Sequence, residues 1–340
     1  MKFEEYAAMQ RDTVYKKILE YLPSKTPEEH YMMVRAYVDR RGKYTRPMLL
    51  TLWNELHGGR TQDAILPAAA MQTSEDWILM HDDWMDGNKL RRGKEAAHIL
   101  YGDRFAVNAG DALHMIMWKM AHDAATQLGN PRGSRYYDKF YDILLVTAEG
   151  QYLDVRLTHK VKDISGFTLE DYYRSISAKS GYYSVYGPMQ LGAILANQPQ
   201  SYVDSIKEYG EPIGKAFQIK DDILDCTSSE RVLGKTISND IIDGVKTAIL
   251  WHFAQKASEP DLADVQAIYS KSRSRKRKRD VKTVIQLFQK YGSIKYAEEL
   301  VDAHSKQGLD RFEKISSHLK ESDLKEAARD AIVRLASRNR

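Results

Sequence analysis

Cysteine is almost absent from this chain: among 340 residues only Cys226 carries a thiol. That excludes a disulfide framework and any Cys-rich metal site, and makes a reducing cytoplasm the expected compartment. Nine prolines leave long stretches in which a helix need not break. Alternating β-branched runs, the mark of strands, are nearly missing. No run of about 18 apolar residues occurs, so no segment reads as a membrane span. The opening MKFEEYAAMQRD has early acids and no apolar h-region, so no signal peptide is expected. Charge of one sign is also lacking. A net +4 with 29% charged residues excludes a polycation, while 43% hydrophobic residues suffice for a sizeable core.

What is present is helical periodicity nearly throughout. Segments 106–128 and 330–337 carry apolar residues at three- and four-residue spacing. Thr26-Pro27-Glu28-Glu29 reads as a capping box with Pro at the first helical position, and Thr168 with Asp171 reads as another helix start. Breaks fall at 128–135, 196–201 and 257–261, none long enough for a domain linker. The pattern predicts one all-α domain over 1–340, with about ten or more helices.

Two acidic runs interrupt the apolar pattern: Asp82, Asp83 and Asp86 in HDDWMD, and Asp221, Asp222 and Asp225 in FQIKDDILD. Both have the form DDxxD. In a helix of ~3.6 residues per turn, carboxylates at i, i+1 and i+4 emerge toward one side within a turn. Like charges so placed repel, and burying them beside Trp84, Met85, Ile223 and Leu224 adds a desolvation cost. A bridging cation removes both penalties. Oxygen-only ligands point to Mg²⁺, which binds one or two carboxylates plus phosphate oxygens. A single such run reads as a solvated acidic turn. Two runs together suggest two walls of one pocket around a metal-bound phosphate.

Cations able to meet a diphosphate lie at glycine-punctuated positions: Gly42-Lys43 with Arg46, then Arg91-Arg92-Gly93, Lys179-Ser180-Gly181 and Gly234-Lys235. Arg offers a planar fork and Lys a point charge. Taken singly, most read as surface residues. Arg91 and Arg92 stand out because they follow Asp86 just beyond the expected helix end at Gly87.

With these residues in place, the chain resembles the trans-isoprenyl diphosphate synthases of the polyprenyl synthetase family. The matching stretches are GKYTRP (42–47), HDDWMDGNKLRRGKEAAH (81–98), GDAL (110–113), EGQYLD (149–154), KSG (179–181), GKAFQIKDDILD (214–225) and GKTISNDIIDGVKT (234–247). The resemblance implies helices around a central active-site cavity, a homodimer, and condensation of isopentenyl diphosphate with an allylic diphosphate. It implies that all six aspartates bind Mg²⁺, which holds the allylic diphosphate together with Arg91, Lys179 and Lys235. Gly42, Lys43, Arg46 and Arg92 would hold isopentenyl diphosphate, with Gln218 and Ser180 near the reacting carbons. Ser180 stands where the family more often has Thr.

Two positions depart from that pattern. Glu75, seven residues before Asp82, stands where the family usually has His or Gln against isopentenyl diphosphate. A salt-bridged structural acid is the expected reading. Val245 takes the place of a frequent lysine, with Lys246 one step later. Trp77 lies five residues before Asp82, about 7.5 Å along a helix at ~1.5 Å per residue. The resemblance makes it the floor of the chain pocket, and with small Ser74 and non-aromatic Ile78 it implies a C20 (geranylgeranyl) product rather than C15 (farnesyl). An ordinary core aromatic is the plainer reading. The basic run KSRSRKRKR (271–279) is expected to be a solvated loop, with at most weak attraction to an anionic membrane surface and no nucleic-acid role. Arg334, Arg338 and Arg340 are minor candidates for closing over the isopentenyl site. A terpene cyclase is disfavoured by DDILD, and a regulatory subunit by the presence of both aspartate runs.

Overall fold

Helices form wherever the periodicity places them, and the all-α expectation holds. The structure, a computed structural model, describes residues 1–227 and 238–337. No helix among them is long and apolar enough to cross a membrane. The chain divides into two units, the first comprising Met1–Asp142, Gly187–Ile206 and Ser317–Ala331, the second Ile143–Tyr186, Lys207–Ser316 and Ile332–Arg340.

The first unit is built on α1 (Phe3–Tyr21), α2 (Glu28–Arg35), α3 (Thr45–Leu56), α4 (Thr61–Met85), α5 (Ala97–Tyr101) and α6 (Asp103–Leu128). To these it adds the start of α7 (Arg132–Lys160), α9 (Gly187–Leu195) and the start of α10 (Gln200–Thr227). Pro47–Asn54 of α3, Ala64–Ser74 of α4 and all of α9 are buried, so these stretches belong to the core of the first unit. Gly192 makes the α3–α9 contact possible: a Cβ there would lie 2.4 Å from the Leu50 carbonyl oxygen and 2.7 Å from Trp53 Cβ. Helix α2 starts at Glu28 with Pro27 as its N-cap, one residue later than the capping box predicts, and Thr26 makes no side-chain cap.

Among the described residues the strand-poor pattern conceals one hairpin. Leu90–Arg91 pairs antiparallel with Lys94–Glu95 across Arg92-Gly93. Both loop residues have positive φ, +52° and +75°, the requirement of a two-residue type I′ turn. Its arginines tie the hairpin to α4, Arg91 on Asp83 and Arg92 on Asp76 at 2.9 Å.

The second unit holds the rest of α7 and α10, together with α8 (Leu169–Ile176) and a π-helical segment, Ser177–Tyr186. Beyond the undescribed stretch come α11 (Asn239–Asp243), α12 (Ala248–Lys256), α13 (Glu259–Tyr269), α14 (Lys278–Lys290) and α15 (Ser293–Ile315). The final helix, α16 (Asp323–Ser337), begins in the first unit. Thr168 and Asp171 form the expected capping box on α8, each side chain bonded to the other's backbone N–H at 3.1 and 3.0 Å. The basic run spans the link between α13 and α14 and the first two residues of α14, and several of its charges serve neighbours. Lys271 bonds Asp280 at 2.9 Å, Arg273 pairs with Asp243, and Lys276 donates to the Ile241 and Ile242 carbonyls that end α11.

Two stability outcomes follow. Gly192→Ala should lower the free energy of unfolding by about 1–3 kcal/mol in urea titrations, since the added methyl has no room between α3 and α9. Burial raises the Asp76 carboxyl from its ordinary 3.8 to about 6. The folded state therefore holds that proton more tightly, and the group's contribution to stability is full below the unfolded pKa and lost as pH rises through 6. The difference in Tm between Asp76→Asn and the parent protein should therefore shift in favour of the variant as pH is raised from about 4 to about 8, set against the loss of the Arg92 partner, as followed by thermal melts across that range.

Candidate active site

The first acidic run closes α4. Asp86 is its C-cap and Gly87, at φ +62°, ends it where the sequence indicates. Residues i and i+4 of a helix share a face, while i+1 is turned by roughly 100°. Accordingly, Asp82 and Asp86 are half-buried, while Asp83 has no exposure at all. Asp83 accepts a hydrogen bond from Tyr37 Oη at 2.7 Å, from Arg91 Nε at 2.9 Å and from Asn88 Nδ2 at 3.3 Å. The three carboxylates expected on one side are thus divided between solvent and interior. Trp84 and Met85 are exposed rather than buried beside them, because they occupy the outward side of this last turn.

Around this run the backbone takes conformations that non-glycine residues seldom adopt. Arg41, Tyr44 and Arg92 have φ of +48°, +60° and +52°. Such strain clusters where a protein must aim polar groups. Gly42 lies directly against the Arg92 guanidinium, where a Cβ would approach Nη2 to 2.7 Å. Lys43 is exposed and Arg46 half-buried. Glu75 is indeed salt-bridged, to Arg46 at 3.1 Å and to Arg92 at 3.7 Å. Trp77 is half-buried on another edge of α4, its ring 4.5 Å from His114 and 5.6 Å from His81, its Nε1 donating to Met117 Sδ at 3.3 Å.

In the second unit, α10 carries the other run. Asp222 is buried, accepting from Tyr172 Oη at 2.7 Å and from Gln218 Nε2 at 2.9 Å. Burial pushes its carboxyl well above the usual carboxylate range, against the opposing effect of these hydrogen bonds. Asp221 is half-buried, and buried Asp225 accepts from the Asp240 N–H at 3.0 Å. Lys179 and Ser180 sit in the π-helical segment, an irregularity frequent at functional sites. Lys179 Nζ reaches Asp154 at 2.6 Å. Glycines permit this packing: a Cβ on Gly150 would lie 2.2 Å from the Lys179 nitrogen, and one on Gly214 2.6 Å from Gly181 Cα. Lys246 points inward, donating to the Gly244 carbonyl at 3.1 Å beside the Tyr269 ring, and burial lowers its pKa to about 8. Lys235, Arg338 and Arg340 lie outside the described residues.

Three residues that sequence reasoning passed over take part. Tyr37 and Tyr172 hold the middle aspartates, and Asp154 holds Lys179. Asp154 closes the EGQYLD stretch, which was a usable signal. Neither tyrosine had one, since each partner lies 46 or 50 residues away in sequence. Among the described residues no three acidic, imidazole or thiol groups close around a cation position. The half-buried Asp82 and Asp86, at i and i+4, nevertheless suit Mg²⁺, which keeps waters and shares its coordination with substrate phosphate rather than needing a protein-only cage.

The polyprenyl synthetase family model matches residues 27–288. A short chain isoprenyl diphosphate synthase of Methanothermobacter thermautotrophicus is 31% identical over 312 residues, spanning 92% of this chain and 91% of that protein. The structure of a geranylgeranyl pyrophosphate synthetase from Pyrococcus horikoshii superposes with a TM-score of 0.83 at 31% identity, covering 99% of this chain and 98% of that one. A geranylgeranyl pyrophosphate synthase from Corynebacterium glutamicum, complexed with isoprenyl diphosphate and magnesium, has the same fold at 20% identity and a TM-score of 0.85, each chain covered in full. Fold, aspartate runs and relatives agree: the chain belongs to the polyprenyl synthetase family of prenyl-transferring enzymes.

Proposed function

We propose that this enzyme joins isopentenyl diphosphate to an allylic diphosphate with Mg²⁺, yielding a C20 product, and that residues 1–340 serve this one activity. The observation that carries the reading is the shared construction of the two DDxxD runs. In each, the middle carboxylate is buried on a tyrosine hydroxyl and its neighbours are thereby oriented. Asp82 and Asp86, with Asp221 and Asp225, are the residues we assign to the metal. Asp83 and Asp222, expected as ligands too, act by positioning. Bound Mg²⁺ would supply Lewis-acid stabilisation of the departing diphosphate. The magnesium in the C. glutamicum relative supports this choice.

The chain's own residues supply the remainder. Lys179, Arg91 and Lys235 neutralise the diphosphate as the allylic carbon–oxygen bond breaks. Gly42, Lys43, Arg46 and Arg92 hold isopentenyl diphosphate, whose double bond forms the new carbon–carbon bond. The proton then lost passes to the released diphosphate. Gln218 and Ser180 lie beside the reacting carbons and direct their oxygen dipoles at the transient cation. The protein works as a homodimer in the cytoplasm, with at most weak contact between 271–279 and an anionic membrane surface. The name of the P. horikoshii protein, a geranylgeranyl pyrophosphate synthetase, supports the C20 assignment, with a C15 product as the alternative.

Incubation with labelled isopentenyl diphosphate, Mg²⁺ and each allylic starter in turn should give elongation. No product with any starter would sink the proposal. Asp82→Asn or Asp221→Asn should reduce turnover by about 10²-fold or more while circular dichroism reports unchanged helix content. Trp77→Ala should lengthen the product seen by chromatography of the dephosphorylated lipids. Unchanged chain length would remove Trp77 as the pocket floor.

A further inference from the structure

Glu75 faces two guanidinium groups that the proposed function assigns to a diphosphate, and within their ion pairs the charges already balance. Arg46 and Arg92 contribute two positive charges, Glu75 and Asp76 two negative ones. The two acids differ in how firmly they are held. Asp76 has 1% exposure, accepts from Gln72 Nε2 at 3.3 Å and meets Arg92 at 2.9 Å. The Glu75 side chain is 15% exposed, and its contact with Arg92 is the longer one, 3.7 Å. Arg92 does not need Glu75 to stay in place. Its Nη1 donates to the Tyr37 carbonyl at 2.8 Å, Asp76 holds Nη2, and Gly42 lies against the guanidinium.

We propose that Glu75 is a displaceable internal anion: its carboxylate bridges Arg46 and Arg92 in the substrate-free enzyme and yields them to the diphosphate of isopentenyl diphosphate. The residue thereby sets the affinity for that substrate, as a specificity-determining group rather than a strut. A carboxylate across two arginines occupies the positions phosphate oxygens take in bidentate recognition. Replacing it with an isosteric amide removes the competing charge and leaves Arg92 anchored.

This inference rests on the assignment of Arg46 and Arg92 to isopentenyl diphosphate, and the test separates the two. Isothermal titration of isopentenyl diphosphate alone into wild type, Glu75→Gln, Glu75→Ala and Arg46→Gln gives the readout, with thermal melts as a folding control. Both Glu75 variants should bind about three- to tenfold more tightly than wild type, corresponding to up to about 1.4 kcal/mol. Arg46→Gln should bind more weakly. Unchanged or weaker binding in the Glu75 variants, with Arg46→Gln impaired, would overturn the inference and leave the substrate assignment standing. Wild-type affinity in Arg46→Gln would overturn both.

Discussion

A carboxylate with no access to water must be answered by charge and hydrogen bonds, and Asp83 is the place where the first unit meets that demand. Tyr37, Arg91 and Asn88 converge on it from the turn after α2, from the hairpin and from the loop following α4. Taking away one partner of a buried pair leaves an uncompensated charge at a cost of about 3–5 kcal/mol. The end of α4 and the hairpin are therefore held in one arrangement. Asp82, Asp86 and the start of the hairpin inherit their directions from it.

The second unit solves the corresponding problem with neutral donors. Asp222 is held by a phenol and an amide, so burial raises its pKa, whereas Arg91 gives Asp83 a formal counter-charge. Lys179 is positioned by different means. A π-helical stretch and the glycines at 150, 181 and 214 bring backbone close to backbone, and Asp154 then takes the ammonium. Here precision comes from the absence of side chains as much as from their presence.

Helix positions and breaks were legible because they depend on local periodicity and on Pro, Gly and capping residues. Helix α6 ends at Leu128, α9 at Leu195 and α12 at Lys256, each at a break marked by Gly, Asn, Pro or Ser. The aspartate runs were legible for the same reason. What could not be read was the division of labour within a run. Whether Asp83 faces water or Tyr37 depends on which side of α4 the rest of the unit covers, a tertiary fact. The hairpin was hidden because a two-residue strand pair has no room for alternation, and its signal reduces to Arg92-Gly93 in a turn. Glu75 was legible as a misfit only through the family resemblance, which has His or Gln at that position, while its two arginine partners became visible only in the fold.

Helix α4 shows how one element serves several tasks without mixing them. Residues seven apart on a helix differ by only about 20° in direction, so Glu75 shares an edge with Asp82, and Asp76 shares the next edge with Asp83. The hairpin arginines follow this spacing in reverse, Arg91 on Asp83 and Arg92 on Asp76 one heptad earlier. Trp77 is turned roughly 140° from Asp82, toward α6, where it meets His114 and Met117. Ionic contacts and the aromatic edge thus share a helix but few neighbours. A change at Trp77 alters the apolar side of α4 while Asp83 keeps its own partners, which is the separation required if chain length and diphosphate binding are to vary independently.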